Sequence, residues 1–266
     1  MQDWPYPRIV AHRGGGTLAP ENTIEAIDAG HALGLRMIEF DAKLAADDTV
    51  FLLHDDRVER TSDGRGEAGA MSYAQLRALD AGGWFDARFA GARMPTLAEV
   101  ARRCANDRIA ANIEIKPSAG RDAATGTRVA LAAAREWAGR GGDAEGDING
   151  HTNGNAALTP LLSSFSFVAL EAAAHAAPEL PRGLLYREVP TDWRAQAAAL
   201  SCKSLHARHT ALTERLVADI KAAGLWILVY TVNDPDVARR LGEWGVDAIC
   251  TDRIDLIGAD FFGQTV

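Results

Sequence analysis

The sequence predicts an α/β protein whose parallel strands close into a TIM (β/α)8 barrel with a small insertion after the second strand. Eight short β-like runs follow one another along the chain, and helix-like stretches separate most of them. The length of 266 residues, 47% of them apolar, suits one such barrel and provides a large core. A doubly wound open sheet is the alternative, but no glycine-rich nucleotide-binding fingerprint follows the first strand.

The predicted elements alternate in the order that a barrel requires. The strands are expected at residues 8–12, 37–44, 109–116, 161–165, 183–186, 204–208, 226–231 and 247–250. Helical periodicity covers residues 22–34, 96–105, 127–139, 167–177 and 212–224. Three of these helical stretches end at a glycine, namely Gly34, Gly139 and Gly224, and glycine is a frequent helix stop.

Two segments do not belong to a minimal barrel. Residues 50–95 contain an extra strand, a polar turn and a short helix around 72–79, so we expect an insertion at about 55–95 that lies over the barrel mouth. Residues 139–159 are rich in Gly, Asn and Asp and are expected to form a long surface loop. No composition shift divides the chain, so residues 1–266 are predicted to form a single domain.

The overall charge excludes several classes of partner. The net charge is -8 and the isoelectric point about 5.4, without a basic run, which argues against nucleic acid and against stable association with an anionic membrane. Cys104, Cys202 and Cys250 are far apart and are expected to be buried thiols in a reducing compartment. The first residues lack the pattern of a secretory signal, so we expect a cytoplasmic protein.

Acidic residues concentrate on one face of two predicted strands. Glu39 and Asp41 are two residues apart in the second strand, and Glu114 and Lys116 are two apart in the third, so each pair shares a face. The residues between them are apolar and suit the helix-packed outside of a barrel, which leaves the charged side chains inside. Three carboxylates in a low-dielectric interior would repel one another unless a cation joins them, and oxygen ligands favour Mg²⁺ or Ca²⁺.

Two histidines occupy ends of predicted strands, where barrel enzymes place their catalytic groups. His12 ends the first strand and His54 the extra strand, and together they could act as an acid and base pair. Each residue also has a purely structural interpretation: a surface histidine, a solvated strand edge for Glu39 and Asp41, an ion pair for Glu114 with Lys116. Their coincidence at the ends of early strands favours a site.

Some polar residues allow two interpretations that the sequence leaves open. Asn22 and Thr23 follow Pro20 and open a helix, so they either cap that helix or brace the loop that carries His12. Tyr230 lies near the end of a late strand and either stacks on a substrate or fills the core.

The chain resembles the glycerophosphodiester phosphodiesterase family. The resemblance rests on a set of motifs that occur in order and cover nearly the whole chain. These are AHRG at 11–14, PENT at 20–23, IEFDAKLAADDTVFLLHD at 38–55, RTSDGRG at 60–66, MPTLAEV at 94–100, NIEIKP at 112–117, LLSSF at 161–165, YTVND at 230–234 and DAICTDRID at 247–255. The first motif alone would be weak, whereas the joint set is highly specific.

The resemblance implies metal-dependent hydrolysis of glycerophosphodiesters, such as glycerophosphocholine or glycerophosphoethanolamine, to sn-glycerol 3-phosphate and an alcohol. It assigns His12 and His54 as the acid/base pair, Glu39, Asp41 and Glu114 as ligands of one divalent cation, and Arg13 and Lys116 as phosphate contacts. As a working hypothesis, His12 is the base and His54 the acid. The nucleophile is water or the glycerol 2-hydroxyl, and a cyclic phosphate intermediate is left open.

The sequence departs from the family pattern at Tyr230, and two other functions remain as alternatives. Tyr230 stands where the family usually has tryptophan, which keeps an aromatic ring that could contact substrate. A related barrel enzyme acting on lysophospholipids, of the lysophospholipase D type, or on phosphoinositides would predict an apolar rim around the mouth. A silent barrel that binds polyol phosphates would require a lost ligand or histidine, and none is lost. A homodimer is left open.

Overall fold

The structure, a computed structural model, describes residues 3–138 and 159–263. The strands are β1 (Ile9–Ala11), β2 (Met37–Leu44), β3 (Val50–Leu52), β4 (Ala110–Ile115), β5 (Leu161–Ser164), β6 (Arg182–Tyr186), β7 (Ser204–Arg208), β8 (Trp226–Tyr230) and β9 (Ala248–Thr251). The helices are α1 (Ile24–Ala32), α2 (Tyr73–Ala78), α3 (Leu97–Asp107), α4 (Asp122–Trp137), α5 (Phe167–Ala176), α6 (Trp193–Ala199), α7 (Glu214–Ala222) and α8 (Pro235–Glu243).

Eight of these strands form a closed parallel barrel. Neighbours pair in the order β1, β2, β4, β5, β6, β7, β8, β9, and β9 pairs with β1 again. Strand β3 is antiparallel to β2 and stays outside the ring. The TIM-barrel prediction is therefore confirmed, and the predicted strands agree with the observed ones within a few residues at each end.

Alternation along each strand separates two apolar layers. Ile38, Phe40, Ile113 and Ile115 belong to the large core between the barrel and its helices, where they pack with helix residues such as Val129. A second cluster fills the amino-terminal half of the barrel interior with Val10, Met37, Ala110, Leu161, Trp226, Leu228 and other buried residues. Since Met37, Glu39 and Asp41 share one face of β2, the carboxylates lie inside the barrel, above this apolar plug.

Helix starts follow capping chemistry in the sequence. The Thr23 side chain accepts a hydrogen bond from the Ala26 amide and begins α1. Thr96 and Glu99 form a capping box at the start of α3. Both helices thus begin immediately after loops at the barrel mouth, which fixes where those loops end.

We name residues 53–96 the mouth segment, because they join β3 to α3 and reach the open end of the barrel. The segment has its own small core, in which Phe51 of β3 packs with Val58, Leu76 and Met94. It includes α2 and returns to β3 at Thr96, which forms an antiparallel bridge with Phe51. The division of the chain into one domain with an insertion stays a prediction.

Two further expectations concern particular residues. The Gly-, Asn- and Asp-rich stretch, of which residues 139–158 fall outside the described part, keeps its loop assignment as a prediction. Cys104, Cys202 and Cys250 are buried, as expected. Across the described residues, every helix is too short or too polar to cross a membrane.

Candidate active site

Three carboxylates meet at the carboxyl ends of adjacent strands. Asp41 of β2 is opposite Glu114 of β4 in the parallel register. Glu39 lies two residues before Asp41, on the same face of β2. One oxygen from each of the three side chains lies within 4.8 Å of the others. The residues are 5%, 1% and 7% exposed for Glu39, Asp41 and Glu114, so this charge is concentrated away from solvent.

The electrostatics of these carboxylates suit a bound cation. Burial and the neighbouring Asp41 charge raise the pKa values of Glu39 and Glu114 above their usual range. Burial opposes ionisation of Asp41 as well, but the Lys116 and Arg13 charges outweigh it and lower the Asp41 pKa. Within the described residues, the buried Oε1 atom of Glu39 has no hydrogen-bond partner. An all-oxygen donor set with a spare buried oxygen fits Mg²⁺ or Ca²⁺.

Asn22 holds Asp41 in place. Its amide nitrogen donates to Asp41 Oδ2 at 2.8 Å, and its carbonyl oxygen accepts from the Asp41 backbone N–H at 3.1 Å. Asn22 has a φ of +59°, in the left-handed region that asparagine tolerates better than most residues. The sequence left open whether Asn22 and Thr23 cap α1 or brace the loop that carries His12. Thr23 caps α1, whereas the Asn22 backbone N–H donates to the Arg13 carbonyl of that loop at 3.0 Å and the Asn22 side chain braces a strand carboxylate.

Two cations flank the carboxylates. Lys116 Nζ lies 2.8 Å from Glu114 Oε1 and 3.2 Å from Asp41 Oδ1. Arg13 Nε lies 3.6 Å from Asp41 Oδ2, and the Arg13 backbone N–H donates to Glu39 Oε2 at 3.1 Å. Arg13 has a φ of +51°, so the turn after β1 places it in a sparsely populated conformation. Such strain is typical of functional sites.

His12 is oriented by a carboxylate from the far end of the chain. Its Nδ1 lies 2.5 Å from Asp252 Oδ1, and Asn233 donates to the other Asp252 oxygen at 3.0 Å. Nδ1 therefore carries a proton toward Asp252, and Nε2, 3.9 Å from Glu39 Oε2, faces the carboxylates. Burial would lower the His12 pKa, but the Asp252 hydrogen bond and the Glu39 charge raise it above its usual value.

His54 has the same kind of partner from its own neighbour. Its Nδ1 lies 2.6 Å from Asp55 Oδ1. Burial lowers the pKa of His54 below its usual value. The nearby Arg13 and Lys116 charges lower it further, and the Asp41 charge, which raises it, does not outweigh them. The two histidines thus differ in proton affinity, and both keep Nε2 free of their carboxylate partner.

Two cavities open on opposite sides of the charged centre. One, of about 640 Å³, is lined by Glu114, Lys116, Phe165 and Arg187. The other, of about 410 Å³, is lined by His12, Arg13, Trp84 and Asp252, among others. The mouth segment thus contributes a wall of the second cavity.

Two further polar residues, Tyr230 and His206, lie at the edge of this centre or below it. The Tyr230 hydroxyl donates to the Tyr186 carbonyl, and its ring meets Phe165 edge-on with centroids 5.9 Å apart. Tyr230 therefore supports a ring that lines the larger cavity. His206 is buried in β7 beside Ser204, and burial lowers its pKa to about 3, so it is a neutral core residue.

The sequence reasoning missed the partners of the candidate residues. Asp252, Asp55 and Glu21 each fall inside a motif that was noticed, yet none received a role. Asp55 follows His54 directly, and Glu21 lies in the Pro20–Thr23 motif. Their closeness in sequence to candidate residues is a signal from which a partner role could be inferred. Asp252 could have been suspected because it directly follows β9, at the same barrel edge as His12.

Carboxylates, cations and carboxylate-bound histidines gather at the carboxyl ends of the barrel strands, which is where barrel enzymes place their active sites. The chain belongs to the glycerophosphoryl diester phosphodiesterase family, whose sequence model matches residues 12–256. It therefore belongs to a family of enzymes that hydrolyse phosphoric diesters.

Curated relatives match over most of their length. A Bacillus subtilis protein provisionally named a glycerophosphodiester phosphodiesterase is 32% identical over 260 residues, which is 95% of this chain and 97% of that protein. A glycerophosphodiester phosphodiesterase of Caldanaerobacter subterraneus is 31% identical over 92% of this chain and 93% of its own. A solved phosphodiesterase of Oleispira antarctica, in complex with the product sn-glycerol-3-phosphate, superposes with a TM-score of 0.82 at 30% identity, covering 96% of both chains.

Proposed function

We propose that this enzyme hydrolyses small glycerophosphodiesters, such as glycerophosphocholine or glycerophosphoethanolamine, to sn-glycerol 3-phosphate and the free alcohol. The observation that carries the proposal is the buried trio Glu39, Asp41 and Glu114 with Lys116 and Arg13 around it. The product named for the Oleispira antarctica relative supports the choice of substrate class. We propose also that residues 1–266 act as one catalytic domain.

The charge of the site supports a further cation. When Glu39, Asp41 and Glu114 are all ionised they carry three negative charges, while Lys116 and Arg13 supply two positive ones. Without a cation, the raised pKa values of Glu39 and Glu114 oppose that ionisation. Glu39, Asp41 and Glu114 would hold one divalent ion, Mg²⁺ or Ca²⁺, which when bound supplies charge neutralisation at a phosphate oxygen. Lys116 and Arg13 bind the remaining charge of the anionic diester and orient it.

His12 is proposed as the general base and His54 as the general acid. An oxygen nucleophile, either water or the glycerol 2-hydroxyl, gives its proton to His12 Nε2 as its bond to phosphorus forms. The bond from phosphorus to the alcohol oxygen breaks, and His54 donates a proton to that oxygen. Without a cation, the raised His12 pKa favours a protonated ring and the lowered His54 pKa a neutral one, so the two roles rest on the position of each ring and not on its resting charge.

The decisive experiment is release of glycerol 3-phosphate from glycerophosphocholine and glycerophosphoethanolamine in a coupled assay. Chelator should stop release, and Mg²⁺ or Ca²⁺ should restore it. His12→Ala and His54→Ala should each lose at least about a hundredfold in kcat, the usual contribution of a positioned acid or base. His175→Ala, on the exposed side of α5, is the matched control and should keep the wild-type rate. A His12→Ala enzyme with most of its rate would refute the assignment.

A lysophospholipid substrate is the second candidate. The observation in its favour is that two large aromatic side chains remain exposed at the cavities, with Trp84 at 41% and Phe165 at 40%. An acyl chain could cover either ring. Release of choline from lysophosphatidylcholine, measured beside release from glycerophosphocholine, separates the two. A higher kcat/KM for the lipid would transfer the proposal to it.

A further inference from the structure

Arg60 of the mouth segment binds two carboxylates at once. Its guanidinium donates from Nη1 and Nη2 to the two oxygens of Glu21, at 2.7 and 2.8 Å. It also donates from Nε and Nη2 to the two oxygens of Asp55, at 2.6 and 3.2 Å. Four hydrogen bonds on two sides of one planar group fix its orientation. Arg60 opens the RTSDGRG motif and lines the second cavity, but the proposed chemistry gives it no role.

Each of these carboxylates holds a residue of the candidate site. Asp55 Oδ1 binds His54 Nδ1 at 2.6 Å. Glu21 Oε1 accepts from Arg13 Nη1 at 2.7 Å, and Arg13 in turn lies beside Asp41. One guanidinium therefore connects Asp55, the partner of the proposed acid, to Glu21, the partner of the proposed phosphate contact. It is the link through which the mouth segment reaches both.

Stability alone does not account for this arrangement. The Arg60 side chain is 45% exposed, so water screens its ion pairs and limits what they contribute to stability. The Glu21 side chain, by contrast, is 14% exposed, so its charge is held near Arg13 with little help from water. Without Arg60, Arg13 would be the nearest remaining cation for that carboxylate. The Arg13 guanidinium, which already donates to Glu21 at 2.7 Å, would then neutralise that carboxylate alone and be held there more tightly rather than left available to a phosphate.

We propose that Arg60 is a positioning residue that sets His54 and Arg13 in their working orientations through Asp55 and Glu21. This inference rests on the proposed function, because it assigns Arg60 to the same reaction. Arginine is required, since the ammonium group of lysine has no planar fork and can satisfy one carboxylate in good geometry but not two. The effect belongs to kcat more than to KM, because Arg60 acts on groups that move protons and stabilise charge.

The test compares Arg60→Ala and Arg60→Lys with Arg57→Ala. Arg57 is the matched control: it is an arginine of the same segment, 57% exposed, paired with Glu59 and Glu67 and away from both cavities. We expect Arg60→Ala to lower kcat by about tenfold or more, with KM changed less than threefold and the melting temperature close to that of Arg57→Ala. Arg60→Lys should recover only part of the loss.

A double-mutant cycle tests the route of the effect. If Arg60 acts through Asp55, the loss from Arg60→Ala combined with Asp55→Asn should be much smaller than the product of the two single losses. Equal kcat values for Arg60→Ala and Arg57→Ala would overturn the proposal. A rise in KM with kcat intact would overturn it too, because that result marks direct contact with substrate. The proposal would also be overturned if the kcat losses of Arg60→Ala and Asp55→Asn simply multiplied in the double variant.

A readout without catalysis separates this inference from the proposed function. The ¹⁵N shifts of the His54 imidazole report its tautomer and its hydrogen bond to Asp55. We expect them to change in Arg60→Ala and to stay at wild-type values in Arg57→Ala. If wild-type protein releases no glycerol 3-phosphate with any cation, the proposed function fails, whereas unchanged His54 shifts in Arg60→Ala would refute the positioning role itself.

Discussion

At the scale of single residues, the site is a set of functional side chains each held by a partner. His12 has Asp252, His54 has Asp55, and Asp41 has Asn22. A carboxylate on Nδ1 fixes which ring nitrogen carries the proton and how the ring is turned, so Nε2 presents a lone pair or proton in a constant direction. Precision of this kind is what a proton transfer over a short distance requires.

The Asp252 partnership predicts a loss of rate on a neutral substitution. Asp252→Asn keeps the shape but removes the charge that holds the His12 proton on Nδ1. We expect kcat to fall by at least about tenfold, by analogy with other histidines that lose an orienting carboxylate. The matched control is Asp255→Asn, because Asp255 pairs only with exposed Arg253 among the described residues. Equal rates for the two variants would show that Asp252 does not act on His12.

Asn22 allows its backbone and its side chain to be tested separately. Asn22→Gly keeps access to a φ of +59° but loses both hydrogen bonds to Asp41, while Asn22→Ala loses the bonds and also strains the backbone. Leaving the buried Asp41 N–H unpaired should cost about 1–3 kcal/mol in either variant. We expect the alanine variant to unfold at lower denaturant than the glycine variant. The reverse order would mean that a φ of +59° imposes no strain on alanine at this position.

At the scale of elements, close approach of backbones decides where the loops go. A Cβ on Gly16 would lie 2.1 Å from the Asp252 carbonyl oxygen, so only glycine lets the loop after β1 pack on the end of β9. That contact brings His12 and Asp252 together. The three glycines at 14–16, which could have been a flexible turn, are required by packing.

Two glycine substitutions separate backbone strain from collision. Gly16 (φ +57°) and Gly91 (φ +91°) are both left-handed, but a Cβ on Gly91 would meet nothing within 4 Å. Gly91→Ala should cost about 1 kcal/mol in the free energy of unfolding, and Gly16→Ala should cost clearly more and lower kcat as well. Chemical denaturation with parallel rate measurements checks both. Equal losses of stability would rule out the collision.

Helix α4 shows why element boundaries were harder to predict than element types. Periodicity placed its start at residue 127, whereas the helix begins at Asp122. Gly126 is an unfavourable helix residue in isolation, but a Cβ there would lie 2.0 Å from the Ala169 carbonyl oxygen of α5. Tight packing of α4 on α5 selects glycine and carries the helix through it. Local propensity does not contain that contact.

At the scale of the whole molecule, the fold brings mutually repelling charges into one buried place. The carboxylate trio weakens the fold when no cation balances it, and binding of a cation should relieve that repulsion. A ligand at about a hundred times its Kd adds about 2.7 kcal/mol, which in a protein of this size is about 5 to 10 °C in melting temperature.

We therefore expect chelator to lower the melting temperature and Mg²⁺ or Ca²⁺ to restore it. Glu114→Gln removes one proposed ligand and should shrink the response to the cation, while Glu67→Gln, on an exposed side chain of the mouth segment, should leave it unchanged. Scanning calorimetry across cation concentrations measures both. Identical responses in wild type and Glu114→Gln would place the cation elsewhere.

The same carboxylates predict a pH dependence of stability without a cation. Burial and the Asp41 charge raise the folded-state pKa of Glu39, so its protonated form favours the native state. That contribution is present below the unfolded value of about 4.3 and is lost as pH rises toward the higher folded pKa. Chelated protein should thus lose stability between about pH 5 and 8, and a saturating cation should flatten that slope. A slope that Mg²⁺ and Ca²⁺ leave unchanged would contradict the prediction.

The sequence by itself determined the barrel class and the face on which Glu39, Asp41, Glu114 and Lys116 lie. Strand alternation and the strand-end rule are local, so a reader of the chain can apply them directly. Only the tertiary structure decided the partners: His12 meets Asp252 across 240 positions, and Arg60 joins Glu21 to Asp55. These pairings depend on barrel closure and on where a turn of the mouth segment places one guanidinium, and no local pattern encodes either.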